Sequence, residues 1–407
     1  MLNDRVHCAI RAADRRPWVV ALAWLTFSAL GAPPLAAGRN ITSGCIESFD
    51  PRTDYFPERV TVEDAVNFSV DYRRSYKVVT VRNALAAATG VRYVLVQCGA
   101  PLPALDGELS GAQVVRVPVA SVFAGATTHL PLLADLQRLD VLTGVPRLRD
   151  LIGTDIVARA ATGRVREFAP SSVVDAELVV SSRPALFMTG GAPSAPVTVV
   201  RAAGIPVVVN VEWLEPTALG RAEWIKYMAL FLNEDGKAQA MHAEMRARYQ
   251  TLKVRASQAR GSMPLVMTGR STRGRFVIAG GRSYVAALIA DAGGRYVWAN
   301  NAAVGSASVD LETQIGRASE ADYWINGGGW TSREAMLNDE PRYEGFKAYR
   351  TGQVWVYERR MTASGGNDYW SRSITHPDLV LADLIKIFHP TLASAHAFEW
   401  YMPVPAR

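Results

Sequence analysis

Histidine and cysteine are scarce in this chain, with six of the first and three of the second among 407 residues. The histidines (His7, His129, His242, His376, His389, His396) are dispersed. A bare zinc or manganese site needs several imidazoles and a carboxylate converging on one point, and no local cluster provides that start. The short patterns of common enzyme chemistry are missing as well. Glycine turns such as Gly190-Gly191 lack the G-x-G-x-x-G spacing, and no phosphate loop ending in Gly-Lys-Ser/Thr occurs. Neither a G-x-S-x-G elbow nor an H-E-x-x-H helix is found. The net charge is +6, but the basic residues are scattered and not interleaved with aromatics, so no nucleic-acid face is indicated. Such a balance favours an anionic ligand. After the first thirty residues, no apolar run is long enough to cross a bilayer.

What is present begins with an export signal over residues 1–38. Arg11, Arg15 and Arg16 precede the apolar stretch Trp18–Leu30, and Ala36-Ala37-Gly38 supplies small residues for cleavage. A retained anchor is the alternative, though Gly31, Pro33 and Pro34 interrupt it. The mature protein is expected to be soluble in the periplasm. Cys8 would leave with the signal, and Cys45 and Cys98 then form an even pair in an oxidising compartment, which predicts a disulfide. The rival is a lipid on Cys45, preceded by Ser43-Gly44, with Thr42 where leucine is usual.

The composition, 49% hydrophobic and 20% charged, is that of a folded protein, and the length suggests at least two domains. Phe68–Tyr72 and Lys77–Val81 alternate about a polar break, as a β-hairpin does. Further strand-like runs at 93–96, 114–117, 186–188 and 207–209 alternate with helical patterns, which predicts an α/β lobe over 39–220. The pattern restarts after residue 260, giving a second α/β lobe over 261–407. Between them, residues 221–260 read as two helices. Trp224, Tyr227, Met228 and Phe231 form one apolar stripe, and Asn233 reads as the N-cap of the next helix. That helix, over about 234–258, carries Ala238, Met241, Met245, Tyr249 and Leu252 on one seam, with Glu244 and Arg248 paired at i, i+4. At 1.5 Å per residue it spans roughly 38 Å and suits a strut across two lobes.

An internal echo links the lobes. Asp175-Ala-Glu177 opens a short helix leading into Leu186–Met188 and Gly190-Gly191; Asp310-Leu-Glu312 opens another leading into Tyr323–Ile325 and Gly327-Gly328.

Two α/β lobes, one long connecting helix and an export signal resemble the helical-backbone (class III) periplasmic substrate-binding proteins of ABC importers, the iron-siderophore and cobalamin type. The resemblance is carried by Thr127-Thr-His-Leu-Pro-Leu-Leu133, Leu139–Val145, Gly280-Gly-Arg-Ser-Tyr284 with Asp291-Ala-Gly-Gly294, and Pro377–Ile385 with His389-Pro390. It implies two Rossmann-like lobes joined by one long helix, a ligand cleft between them, and slight closure on binding. It also implies docking to an inner-membrane permease dimer through one acid per lobe. Glu177 and Glu312 match those acids by position, unless they are only helix N-terminal residues favoured by the dipole. The implied function is capture of an iron chelate of the ferric siderophore type, with iron arriving inside the ligand and no cofactor of the protein's own. Cobalamin or another corrinoid is the alternative cargo; a secreted chelate-processing enzyme or a non-transporting sensor is the alternative class. A monomer is expected.

Within such a cleft the candidate contacts are Thr127, Thr128 and His129 before a helix, where hydroxyls and free backbone N–H groups could hold an anion, with a plain cap by Thr128 as the alternative. Trp213 either lines the cleft or packs beneath it. Arg282, after Gly280-Gly281, suits carboxylates or catecholates. Trp330 after Gly327–Gly329, and Tyr369 and Trp370 after Ser364-Gly-Gly366, offer flat rings, one of which a core could claim instead.

Overall fold

The described residues build four sheets. β1 (Phe68–Tyr72), β2 (Tyr76–Val81), β3 (Val91–Gln97) and β4 (Gln113–Val117) lie side by side in that order. The expected hairpin is β1–β2, antiparallel, with Val70 opposite Val79. β5 (Val122–Ala124), β6 (Leu142–Val145), β7 (Arg166–Glu167), β8 (Leu186–Thr189) and β9 (Val207–Val209) form a parallel sheet of order β7-β6-β5-β8-β9. In the second half, β10 (Leu265–Thr268) is followed by β11 (Arg270–Thr272), β12 (Arg275–Ala279), β13 (Arg295–Tyr296), β14 (Ser306–Val309), β15 (Tyr323–Ile325), β16 (Val354–Val356) and β17 (Met402–Pro403). These make a five-stranded sheet, β13-β10-β15-β16-β17, and a small antiparallel sheet, β11-β12-β14. The computed structural model describes residues 38–82, 90–191 and 194–406. The export signal, with Cys8 and His7, falls outside the described residues but for Gly38.

The two parallel sheets share a topology. β6-β5-β8-β9 and β13-β10-β15-β16 both run second, first, third, fourth in chain order. The helices that position the cleft are α1 (His129–Asp135), α2 (Ala176–Ser182), α3 (Ala218–Ala222), α4 (Trp224–Leu232), α5 (Asp235–Ser257), α6 (Tyr284–Asp291), α7 (Leu311–Ala318), α8 (Tyr369–Arg372) and α9 (Pro377–Phe388). α2 and α7 are the helices of the internal echo. Asp175 caps α2 by accepting the Leu178 N–H at 3.0 Å, and Asp310 caps α7 by accepting the Thr313 N–H at 2.7 Å.

Residues 221–260 depart from the sequence reading in three ways. The stripe on α4 predicts a helix with one wet face, yet all nine of its residues are buried. It is wedged among α1, β4 and α5, and Lys226 is tolerated there because Nζ donates to Glu223 Oε1 and to the Thr61 carbonyl, each at 2.6 Å. Asn233 is not an N-cap: it closes α4 in the left-handed region with φ 58°, a conformation asparagine tolerates better than most side chains. Arg248 does not pair along its helix with Glu244 but donates from Nε to Asp378 Oδ2 at 2.7 Å.

α5 is fastened to both lobes. Lys77 Nζ lies 2.9 Å from Asp235 Oδ2 with both side chains fully buried, and the Tyr72 hydroxyl donates to Asp235 at 2.6 Å. Gln239 accepts the Thr61 N–H at 2.9 Å, and Arg246 donates to Asp64 at 2.8 Å. Nearer its C-terminus, besides Arg248–Asp378, the Tyr249 hydroxyl donates to Asp291 and Lys253 pairs with Asp291, each at 2.7 Å. The core follows the same division. One large apolar cluster runs from Tyr55 to Ala238, joined by Ile374 from the second half, and a second runs from Ala218 to Val404. Cys45 and Cys98 form the expected disulfide, which ties the N-terminal segment to the end of β3.

Candidate functional site

Two adjoining cavities lie where the C-terminal ends of the parallel strands face the second half of the chain, the crevice in which α/β folds collect ligands. The first, about 540 Å³, is walled by first-lobe residues such as Thr127, Arg147, Ser172 and Thr189, and across from them by Asn367, Trp370 and Ser371. The second, about 590 Å³, belongs mainly to the second lobe, with Arg270, Tyr284, Asn326, Tyr357 and Trp370 in its lining and Trp213 reaching in from the first. Trp370 lines both and forms the partition. It is 42% exposed, and its ring stands edge-on to Tyr357 and Tyr369, with centroids 5.1 and 5.2 Å away. Tyr369 itself is buried and stacks on Tyr357 at 4.6 Å. It braces the partition and does not face the cavities.

The residues singled out from sequence scatter around this cleft. Thr127 lines the first cavity, and Trp213 and Trp370 line the second. Arg282 is exposed beside the mouth, next to Ser283 and Tyr284, but is not part of the lining. Trp330 is core: it is buried, its indole N–H donates to Asp339 at 2.9 Å, and its ring stands edge-on to Trp324. Thr128 makes no capping bond. The backbone N–H groups of His129 and Leu130 donate to the carbonyls of Ala126 and Thr127, so they are not free for an anion. His129 is fully buried behind the first cavity, with neither ring nitrogen partnered in the structure. Burial holds its pKa down at about 4, so the ring is neutral. Glu177 and Glu312 are both exposed, and Glu312 pairs with Arg342 at 2.5 Å.

Arg270 escaped sequence reasoning. Nη1 donates to the Gly328 carbonyl at 2.8 Å, and among the described residues it forms no ion pair with an acid. Glu358 lies close enough to feel its field, but that carboxylate accepts the Gly329 N–H. Burial pushes the Glu358 carboxyl up from its ordinary value. Arg147, by contrast, is neutralised by Asp150 and donates to Ser172 at 2.7 Å. A signal for Arg270 existed: Leu265-Val-Met-Thr-Gly269 repeats Leu186-Phe-Met-Thr-Gly190, and each run ends a strand at the cleft. Gly269 is required at its turn, with φ 90° and a Val277 carbonyl where a β-carbon would sit. Beneath the second cavity a buried pair, Arg221 Nε to Glu212 at 2.8 Å, places its guanidinium 4.5 Å over the ring of Tyr284. Burial opposes the charge on Arg221, but Glu212 outweighs it and its pKa is raised.

Neither cavity lining includes a histidine or a cysteine among the described residues. Elsewhere, Glu63, Glu223 and His242 bring ligand atoms within 4.8 Å of one another. Those carboxylates already hold the Lys226 ammonium, 2.6 Å from Glu223 and 3.5 Å from Glu63, and Glu223 also accepts the N–H groups of Glu63, Asp64 and Ala65. The cluster clasps the N-terminal segment and is no metal site.

Residues 174–360 match the family described as periplasmic binding protein. An uncharacterized lipoprotein of Methanocaldococcus jannaschii is 25% identical over 316 residues, covering 74% of this chain and 73% of that one. Among solved structures, Helicobacter pylori CeuE with Ni(II) bound aligns with a TM-score of 0.54 at 16% identity, over 70% of this chain and 88% of its own. A periplasmic heme-binding protein from Pseudomonas aeruginosa aligns with a TM-score of 0.51 at 17% identity, over 67% and 94%. The family match over residues 174–360 and the fold of the solved neighbours both agree with the resemblance to two-lobed periplasmic binding proteins. The matched family is one of binding proteins and not of enzymes.

Proposed function

We propose that this chain, which has the fold of two-lobed periplasmic binding proteins and matches that family over residues 174–360, captures an iron chelate of the ferric siderophore type in its cleft and hands it, as a monomer, to an inner-membrane ABC permease dimer. One observation carries the reading: among the described residues the cleft offers hydroxyls, aromatic rings and the guanidinium of Arg270, which forms no ion pair, but no imidazole or thiolate. A bare transition metal lacks its usual ligands there. An anionic chelate brings its own ligands and asks only for rings and hydrogen-bond donors. Export is part of the same reading, in keeping with the family's description and with a curated relative named a lipoprotein. The Cys45 sulfur is committed to Cys98, which favours a soluble periplasmic protein over a lipid at that residue. Glu177 and Glu312, one on each copy of the repeated helix, are proposed as the permease-docking acids. Titrating the purified protein with ferric citrate, ferric hydroxamate and ferric catecholate chelates, alongside bare Fe(III), Ni(II) and Zn(II), tests the reading. Saturable binding of at least one chelate and of no bare ion is expected; tight binding of a bare ion with indifference to every chelate refutes it.

A further inference from the structure

Among the described residues, Trp213 is the only one of the first lobe in the lining of the second cavity. Its indole N–H donates to the Gly190 carbonyl at 3.0 Å, so the ring is held by the first lobe. Its outer edge rests on the second lobe at Gly305, where an added β-carbon would sit 3.6 Å from Cζ3. The ring is nevertheless 36% exposed, on the side of the cavity. The same cavity is lined by the Trp370 partition, fixed in angle by Tyr357 and Tyr369. The rest of the wall adds Tyr284 and Tyr357, and Arg270, which forms no ion pair among the described residues, supplies the charge. Flat rings favour flat partners, and a planar guanidinium favours a carboxylate or phenolate edge.

We propose that the second cavity is a subsite of its own, for a flat aromatic group carrying an acidic function. It reads that arm of the cargo separately from the metal-bearing part, and Trp213 is the specificity-determining residue that closes it. The assignment rests on the chelate reading for what the rest of the cargo is, but the subsite does not need the metal. The metal-bearing part is left to the hydroxyl-rich first cavity, beyond Trp370.

Calorimetric titration of the purified protein with benzoate, a flat aromatic acid that chelates no metal, and with cyclohexanecarboxylate as a non-planar acid, tests this directly. The aromatic acid is expected to saturate, with the cyclohexane acid weaker by roughly 3–10-fold, as stacking on rings predicts. Arg270→Gln is expected to weaken both acids by about 10-fold or more. Trp213→Ala should weaken the aromatic acid alone, and Trp213→Phe should restore most of that loss. Circular dichroism of each variant checks the fold, which these two partly exposed side chains do not hold together. No saturation by the aromatic acid, or an unchanged affinity in Trp213→Ala, overturns the subsite even if ferric chelates bind. Saturation by the aromatic acid with no ferric chelate bound supports the subsite and sinks the iron-chelate reading instead.

Discussion

Lys77 and Asp235 are a stringent test of how the long helix is anchored. Both side chains are fully buried, and Nζ sits 2.9 and 3.1 Å from the two carboxylate oxygens, 3.0 Å from the Leu230 carbonyl and 4.6 Å over the ring of Phe56. Lys77→Met keeps the apolar stem and removes the ammonium. Asp235 is then left in a dry site with only the Tyr72 hydroxyl, 2.6 Å away, and its place at the first turn of α5 to support its charge. Breaking one side of a buried pair costs about 3–5 kcal/mol, most of it the price of the uncompensated charge. The urea midpoint should therefore fall with an unchanged slope, since no additional surface becomes exposed on unfolding. The companion variant is Lys77→Met with Asp235→Asn. An asparagine oxygen still accepts from Tyr72 but carries no charge, so the double variant should recover all but about 1–2 kcal/mol of the loss. A cost below about 1 kcal/mol in the single variant refutes the reasoning. So does a double variant that is less stable than Lys77→Met, because the penalty would then reside in lost packing and not in the stranded carboxylate.

Two further outcomes follow from the same structure. His129 binds its proton less readily folded than unfolded, its native pKa being about 4, so stability should fall as the pH drops from the ordinary histidine value near 6.5 toward 4. His129→Leu removes that share, roughly 2–3 kcal/mol of the difference between pH 7 and pH 4.5, measurable as a flatter dependence of the urea midpoint; an identical dependence in the two proteins rejects the assignment. Reversing both Glu177 and Glu312 to lysine should abolish uptake through the permease while leaving chelate affinity within about two-fold, since both lie on exposed helix starts; normal uptake by the double reversal removes them as docking residues.

Periodicity made the strands and the long helix legible, because period-2 and period-3.6 patterns are local. The hairpin Phe68–Val81 and the helix Asp235–Ser257 fall within a residue or two of their sequence-read bounds. What periodicity cannot carry is which side of an element meets protein and which meets water. α4 reads as amphipathic from the stripe of Trp224, Tyr227, Met228 and Phe231, yet the Lys226 ammonium is folded against Glu223 and the helix is buried all round. The tryptophans make the same point. Trp330 and Trp370 both follow glycine-rich turns, and only tertiary packing sends one into the Trp324–Tyr343 cluster and the other into the cleft. The arginines divide likewise: Arg282 and Arg270 each follow glycine, but the turn at Gly269 aims at the cleft while Arg282 stays beside its mouth. The paired cysteines were legible because counting needs no geometry.

A hinge needs slack, and α5 has none: its first half is pinned to Lys77, Tyr72, Thr61 and Asp64, and its second half to Asp378 and Asp291. A transporter waiting for such a molecule could not sense a full load as a wide swing of two jaws. The distance from Glu177 to Glu312 would behave as a ruler of nearly constant length, the same on arrival whether the hold is empty or occupied. Empty carriers would then compete with full ones for the same berth, and the difference that opens the gate would have to come from the rim of the cleft, where the indoles of Trp213 and Trp370 are proposed to meet the cargo.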